Sequence, residues 1–104
     1  MSEAIDTLVA TIEDRKIHPQ EHSYTCKLLA AGAAEILRKV GEEAAEVVVA
    51  GALESKERLV YETADLFYHL LVMLAAKDLA WADVEVELRR RFKPGRHLPP
   101  TAAK

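Results

Sequence analysis

Three glutamates, Glu42, Glu43 and Glu46, stand within five residues of KVGEEAAEVVVA (39–50). A second acidic pair, Glu62 and Asp65, leads into ADLFYHLLVMLAA (64–76), a run that is hydrophobic almost all round. At about 100° per residue of helix, Glu43 and Glu46 are neighbours on one face, and so are Glu62 and Asp65. Glu42 lies beside Glu46 at the i, i+4 spacing, slightly towards the polar side. Like charges so placed repel, and a carboxylate buried without a partner costs several kcal/mol or takes up a proton. A divalent cation shared between the two helices would remove both penalties. All-oxygen ligands favour Mg²⁺ or Mn²⁺ over zinc, which prefers nitrogen and sulfur. Mg²⁺ on a few carboxylates keeps positions that water or a substrate phosphate can fill, so the chemistry expected is metal-assisted transfer or hydrolysis at phosphorus.

The elements that must position these acids are legible in the spacing of apolar residues. Ile5, Leu8, Val9 and Ile12 recur as on one helix face, with Ser2 as N-cap. IHPQEH (17–22) breaks that pattern, because Pro19 discourages helical conformation at His18. Ser23 caps a short helix, SYTCKLLAA, and Gly32 stops it. A long helix is expected from about Ala33 to Leu53, with an apolar stripe at Ile36, Leu37, Val40, Ala44, Val47 and Val48 and with Glu43 at its edge. Gly41 inside this helix costs about 1 kcal/mol relative to alanine and suggests a close backbone approach. Ser55 caps the next helix, which runs to about Lys77 and is expected to be buried, Asp65 included. WADVEVELRRRF makes the last. The sequence thus predicts an all-α bundle of five helical segments over residues 1–92, followed by a loose tail, KPGRHLPPTAAK (93–104), with three prolines and a glycine.

Composition narrows the function classes. A chain of 104 residues, half of them hydrophobic and 30% charged, is most simply one globular domain. A net charge of −3 argues against duplex binding by bulk electrostatics. The single cysteine, Cys26, allows no internal disulfide and fits a reducing compartment. It reads as a small buried hydrophobe. The N-terminus carries acids where a signal peptide needs a basic region, and the nearly apolar run 66–76 is too short to span a bilayer. The protein therefore reads as cytoplasmic. Its fourth helix, apolar on nearly every side, needs a partner subunit to cover it.

The spacing Glu42-Glu43-x-x-Glu46, fifteen residues, Glu62-x-x-Asp65 resembles the signature of the all-α, MazG-like NTP pyrophosphatases. Together, SYTCKLLAAG (23–32), KVGEEAAEVVVA (39–50) and YETADLFYHLLVML (61–74) resemble the phosphoribosyl-ATP pyrophosphatase family, over about residues 5 to 91. That resemblance implies Mg²⁺-dependent hydrolysis of phosphoribosyl-ATP to phosphoribosyl-AMP and pyrophosphate, the second step of histidine biosynthesis. The enzyme would be a helical homo-oligomer, at least a dimer, with a small-molecule nucleotide substrate and neither nucleic acid nor membrane as partner. Carried over by motif, Glu43, Glu46, Glu62 and Asp65 would be the metal ligands. Glu42 would be another ligand or the base that orients water. Lys39 is placed to meet a phosphate, and Ser23, Tyr24, Thr25 and Lys27 match the segment near the substrate. Lys93 and Arg96 are further candidates for a substrate contact.

Blander readings compete at several positions. An i, i+4 salt bridge to Glu43 competes with the phosphate role of Lys39, and Ser23 caps a helix whether or not it touches substrate. His69 reads as a hydrogen-bonded core residue one turn from Asp65. Tyr61 and Tyr68 read as core or subunit contacts, and Arg89 to Arg91 as a solvated helix end. Three rival functions share the acids. A house-cleaning pyrophosphatase acting on dUTP, dCTP or a damaged nucleotide would use the same metal site. A ferritin-like iron bundle wants Glu-x-x-His motifs, and the chain has none. A plain helical dimerisation module would leave Glu62 and Asp65 buried without partners.

Overall fold

In the computed structural model, which describes residues 2–92, the chain forms five α-helices. They are α1 (Glu3–Ile17), α2 (Tyr24–Ala31), α3 (Ala33–Leu53), α4 (Lys56–Ala76) and α5 (Trp81–Arg91). No strand occurs among the described residues. The tail from residue 93, with Lys93 and Arg96, lies outside them.

Serines start three of the helices. Ser2, Ser23 and Ser55 accept hydrogen bonds from the backbone N–H groups of Ile5, Cys26 and Arg58 at 3.3, 3.1 and 3.1 Å. Each cap satisfies one donor that the first turn leaves unpaired. Gly32 ends α2 and begins α3 with φ 98°, a conformation that side-chain-bearing residues rarely adopt. A single residue thus turns the chain between two helices.

The long helices α3 and α4 form an antiparallel hairpin and the most extensive helix pair, with α1 and α2 packed across it. The buried core joins Ile12 of α1, Leu28 of α2, Ile36 of α3, and Leu71, Val72 and Ala75 of α4. At the far end of α4, the Lys16 ammonium donates to the Ala75 carbonyl and to the Asp78 carboxylate, both at 2.7 Å. α5 joins through Trp81, whose ring meets Phe67 edge-on at 5.2 Å.

Packing corrects five expectations. On α3 the buried residues are Ile36, Glu43 and Ala50, seven apart, so Glu43 lies on the buried seam and not at its edge. Leu37 and Val48, placed in the apolar stripe by their spacing, are 45% and 69% exposed. Gly41 makes no close approach: a Cβ there would meet nothing within 4 Å, because this side of α3 faces solvent. α4 is not buried throughout, since Val60 and Tyr61 stand 70% and 60% exposed. Cys26 is only half-buried. Its sulfur accepts the Gln20 N–H at 3.3 Å and donates to the Arg15 carbonyl at 3.6 Å, tying the 17–22 loop to α2.

Candidate metal centre and adjoining groove

The heptad spacing that buries Ile36 and Ala50 also carries Glu43 into the α3–α4 seam, where Glu62 of α4 is buried as well. Glu46, one turn along α3, is exposed, and Asp65 is half-buried with its side chain 35% accessible. Of Glu62 and Asp65 on α4, Glu62 is therefore the deeper. Ligand-capable atoms of Glu43, Glu46 and Glu62 lie within 4.8 Å of one another, and those of a second group, Glu43, Asp65 and His69, lie equally close. Glu43 belongs to both groups.

These acids are only partly neutralised. Lys39 Nζ stands 3.5 Å from Glu43 Oε2, and the Arg58 guanidinium donates to Glu62 Oε2. Glu43 Oε1 and Glu62 Oε1 are buried with no hydrogen-bond partner among the described residues. An orphaned carboxylate oxygen in a buried seam is costly, and two of them in one cluster mark a place where a cation fits. Burial pushes the Glu43 carboxyl above its usual range, reinforced by Asp65 and Glu46 and opposed by Lys39. Burial likewise raises Glu62, followed by the charge of Glu46, with Arg58 pulling the other way. The cluster can hold a metal ion through hard oxygen ligands.

His69, 2% exposed, acts differently. Its Nδ1 lies 2.8 Å from the Asp65 backbone carbonyl, which can only accept, so Nδ1 carries the ring proton. Nε2 is then the acceptor for the Tyr24 hydroxyl at 3.2 Å. With both nitrogens engaged, His69 is a strut between Asp65 and α2 and not a free ligand.

The other residues singled out in the sequence fall around this cluster. Glu42, its side chain 47% exposed, accepts from Arg38 at Oε2, while its Oε1 lies 3.6 Å from Lys39. It stands outside both acidic groups. Tyr24, Lys27 and Lys39 line a groove of about 530 Å³ between α2 and α3, together with Leu28, Ala31, Glu35 and Arg38. Ser23 is committed to its cap, and the Thr25 hydroxyl pairs with that of Tyr68 at 2.5 Å. Tyr68 is thus a polar partner for α2, while Tyr61 lies under the Arg58 guanidinium, 4.6 Å from its ring centre. Sequence reasoning missed Arg58, although its i, i+4 spacing to Glu62 signals the pair.

Comparison with known proteins adds an independent line. Residues 5–92 match the family model described as phosphoribosyl-ATP pyrophosphohydrolase. The chain is 51% identical, over 93% of its own length and 93% of the relative's, to the phosphoribosyl-ATP pyrophosphatase of Geobacter sulfurreducens. It is 50% identical to the protein of that name from Sulfurisphaera tokodaii, covering 88% of this chain and 98% of the relative. A third relative is the histidine biosynthesis bifunctional protein HisIE of Caldanaerobacter subterraneus. It is 48% identical over 88% of this chain, and the chain spans only 44% of its length.

Proposed function

The chain belongs to the phosphoribosyl-ATP pyrophosphohydrolase family, and from that premise we propose that it hydrolyses phosphoribosyl-ATP to phosphoribosyl-AMP and pyrophosphate, using Mg²⁺. This is the second step of histidine biosynthesis, and the cytoplasm is its proposed location. The observation that carries the reading is the pair of orphaned carboxylate oxygens, Glu43 Oε1 and Glu62 Oε1, in a seam shared by two helices. Glu43, Glu46, Glu62 and Asp65 are the proposed ligands. Oxygen-only donors suit Mg²⁺, with Mn²⁺ as substitute. When bound, the ion supplies positive charge that lets a polyphosphate approach four carboxylates and lowers the pKa of a coordinated water.

The residues of the chain divide the remaining work. Lys39, between Glu42 and Glu43, offers its ammonium to a phosphate at the edge of the cluster. Glu42 is the proposed base. Arg38 holds its Oε2 and leaves Oε1 to accept a proton from the attacking water. Tyr24, locked by His69, forms the groove wall nearest the cluster, and Lys27 adds a second cation along it. Ser23 and Thr25 shape the start of α2 so that Tyr24 and Lys27 reach the groove.

The same reading includes a homo-oligomer. Val49, Leu53, Val60 and Tyr61, at the turn of the α3–α4 hairpin, are between 46% and 81% exposed. Glu46, Val49 and Leu53 follow one another at helical spacing, so this apolar face continues directly from the acids. Such a face, next to a small core, is what a second copy covers in a dimer. Pyrophosphate release with Mg²⁺ tests the activity, comparing phosphoribosyl-ATP with ATP, dUTP and dCTP and using Glu43→Gln as control. The expected result is turnover of phosphoribosyl-ATP, lost in the variant. Preferred turnover of a deoxynucleotide would keep the metal site and overturn the substrate.

A further inference from the structure

Resting on that reading, we propose that Arg38, held by Glu35 and Glu42, is the centre of a separate oxyanion subsite. In the α2–α3 groove it grips a phosphate monoester on the substrate that is not the one cleaved. A guanidinium carries five N–H donors in a rigid fork. Arg38 gives Nε–H and one Nη2–H to the two oxygens of Glu35, at 2.9 and 2.6 Å, and one Nη1–H to Glu42. Two donors remain, one on each terminal nitrogen. The two carboxylates thus fix the plane of the group and leave one donor on each terminal nitrogen for the oxygens of a phosphate.

The setting fits the same ligand. Three cations, Lys27, Arg38 and Lys39, line the groove beside one lining carboxylate, Glu35, while Glu42 and Glu43 pair with Arg38 and Lys39 from outside the lining. Tyr24, Leu28 and Ala31 supply an apolar wall along which a base or sugar can lie. Lys39 and Tyr24 belong both to this groove and to the edge of the acidic cluster, so the two sites adjoin and share that wall. Arg38 precedes Glu43 by five residues, about 7.5 Å of helix rise, and its guanidinium bonds to Glu35 and Glu42, neither of which belongs to the two acidic groups. Phosphoribosyl-ATP has two phosphorylated ends, a triphosphate on one ribose and a monoester on the other. With the triphosphate at the cluster, the monoester is the end left for the groove.

The monoester and the leaving pyrophosphate are both sources of such an oxyanion, and the two products separate them. Calorimetric titration of the Mg²⁺-loaded full chain with phosphoribosyl-AMP and with pyrophosphate, in wild type and Arg38→Gln, decides the matter. The expected outcome is about tenfold weaker binding of phosphoribosyl-AMP, as for loss of a charged hydrogen-bonding group, with pyrophosphate affinity within about twofold of wild type. Arg38→Lys, which keeps the charge and loses the fork, should recover only part of that loss. The reverse pattern, with pyrophosphate alone weakened, would overturn the assignment to the monoester. Equal affinities in wild type and variant would overturn the subsite while leaving the proposed hydrolysis intact. Wild-type protein that binds neither product would overturn both readings. A structural role alone would lower the melting temperature of Arg38→Gln without splitting the two products.

Discussion

Glu43 on α3 and Glu87 on α5 are both glutamates with a basic residue one helical turn away, and they end in opposite states. Arg90 donates to both oxygens of Glu87 at 2.9 and 2.5 Å, Arg91 adds a bond at 3.0 Å, and the carboxyl is held at about 2. Glu43 has Lys39 at 3.5 Å and one oxygen with no partner, and burial raises its pKa. The charges on α5 complete themselves within one exposed helix. Those of the α3–α4 seam remain incomplete, because burial excludes water and, among the described residues, too few cations reach it. That difference teaches where an external cation has something to gain.

The largest break in the comparison comes from removing the unmet charge. Glu43→Gln or Asp65→Asn should lower pyrophosphate release at least about a hundredfold and abolish the thermal stabilisation by Mg²⁺. Without metal, Glu43→Gln should be the more stable protein by about 1 kcal/mol, seen as a higher melting temperature, because it removes a buried charge lacking full compensation. A metal-free variant less stable than wild type would show that Lys39 already completes the seam.

The oligomer comes next. Leu53→Glu places a charge in the exposed apolar face beside the acids and should shift sedimentation from dimer to monomer at micromolar concentration. A wild-type protein already monomeric there would remove the interface from the proposal.

Acidity separates the two regions by sign. The raised carboxyls of Glu43 and Glu62 carry an ionisation cost in the metal-free fold at neutral pH. That cost disappears as the pH falls through their raised values. Protons then compete with the cation, so the melting shift produced by Mg²⁺ should shrink as the pH falls from neutral through the raised range of these carboxyls. Glu87 runs the other way, its stabilisation present at neutral pH and lost only as the pH falls towards about 2.

A smaller effect is expected from Tyr24→Phe. It removes the donor to His69 Nε2 and should cost about three- to tenfold in kcat/KM, as loss of one neutral hydrogen bond. The smallest is Glu87→Gln, which sharpens the comparison as its control and should leave turnover within about twofold of wild type.

Much of this was legible along the chain. Serine caps at Ser2, Ser23 and Ser55, the stop at Gly32 and the apolar spacing determined five helices, because each depends on residues within a turn or two of one another. The acids could be placed on their own helices for the same reason. Which side of a helix is covered is set by its neighbour, and only the packing of α3 on α4 decided that. That packing buried Ile36, Glu43 and Ala50 and left Leu37 and Val48 outside. It made Glu62 and not Asp65 the deeper acid of α4. It also joined two distant segments through Tyr24, His69 and Asp65, a contact across 45 residues that no local spacing encodes. Helical periodicity gives the angle of a side chain about its own axis. Solvent exclusion, and with it the cost of an unpaired charge, belongs to the pair of helices.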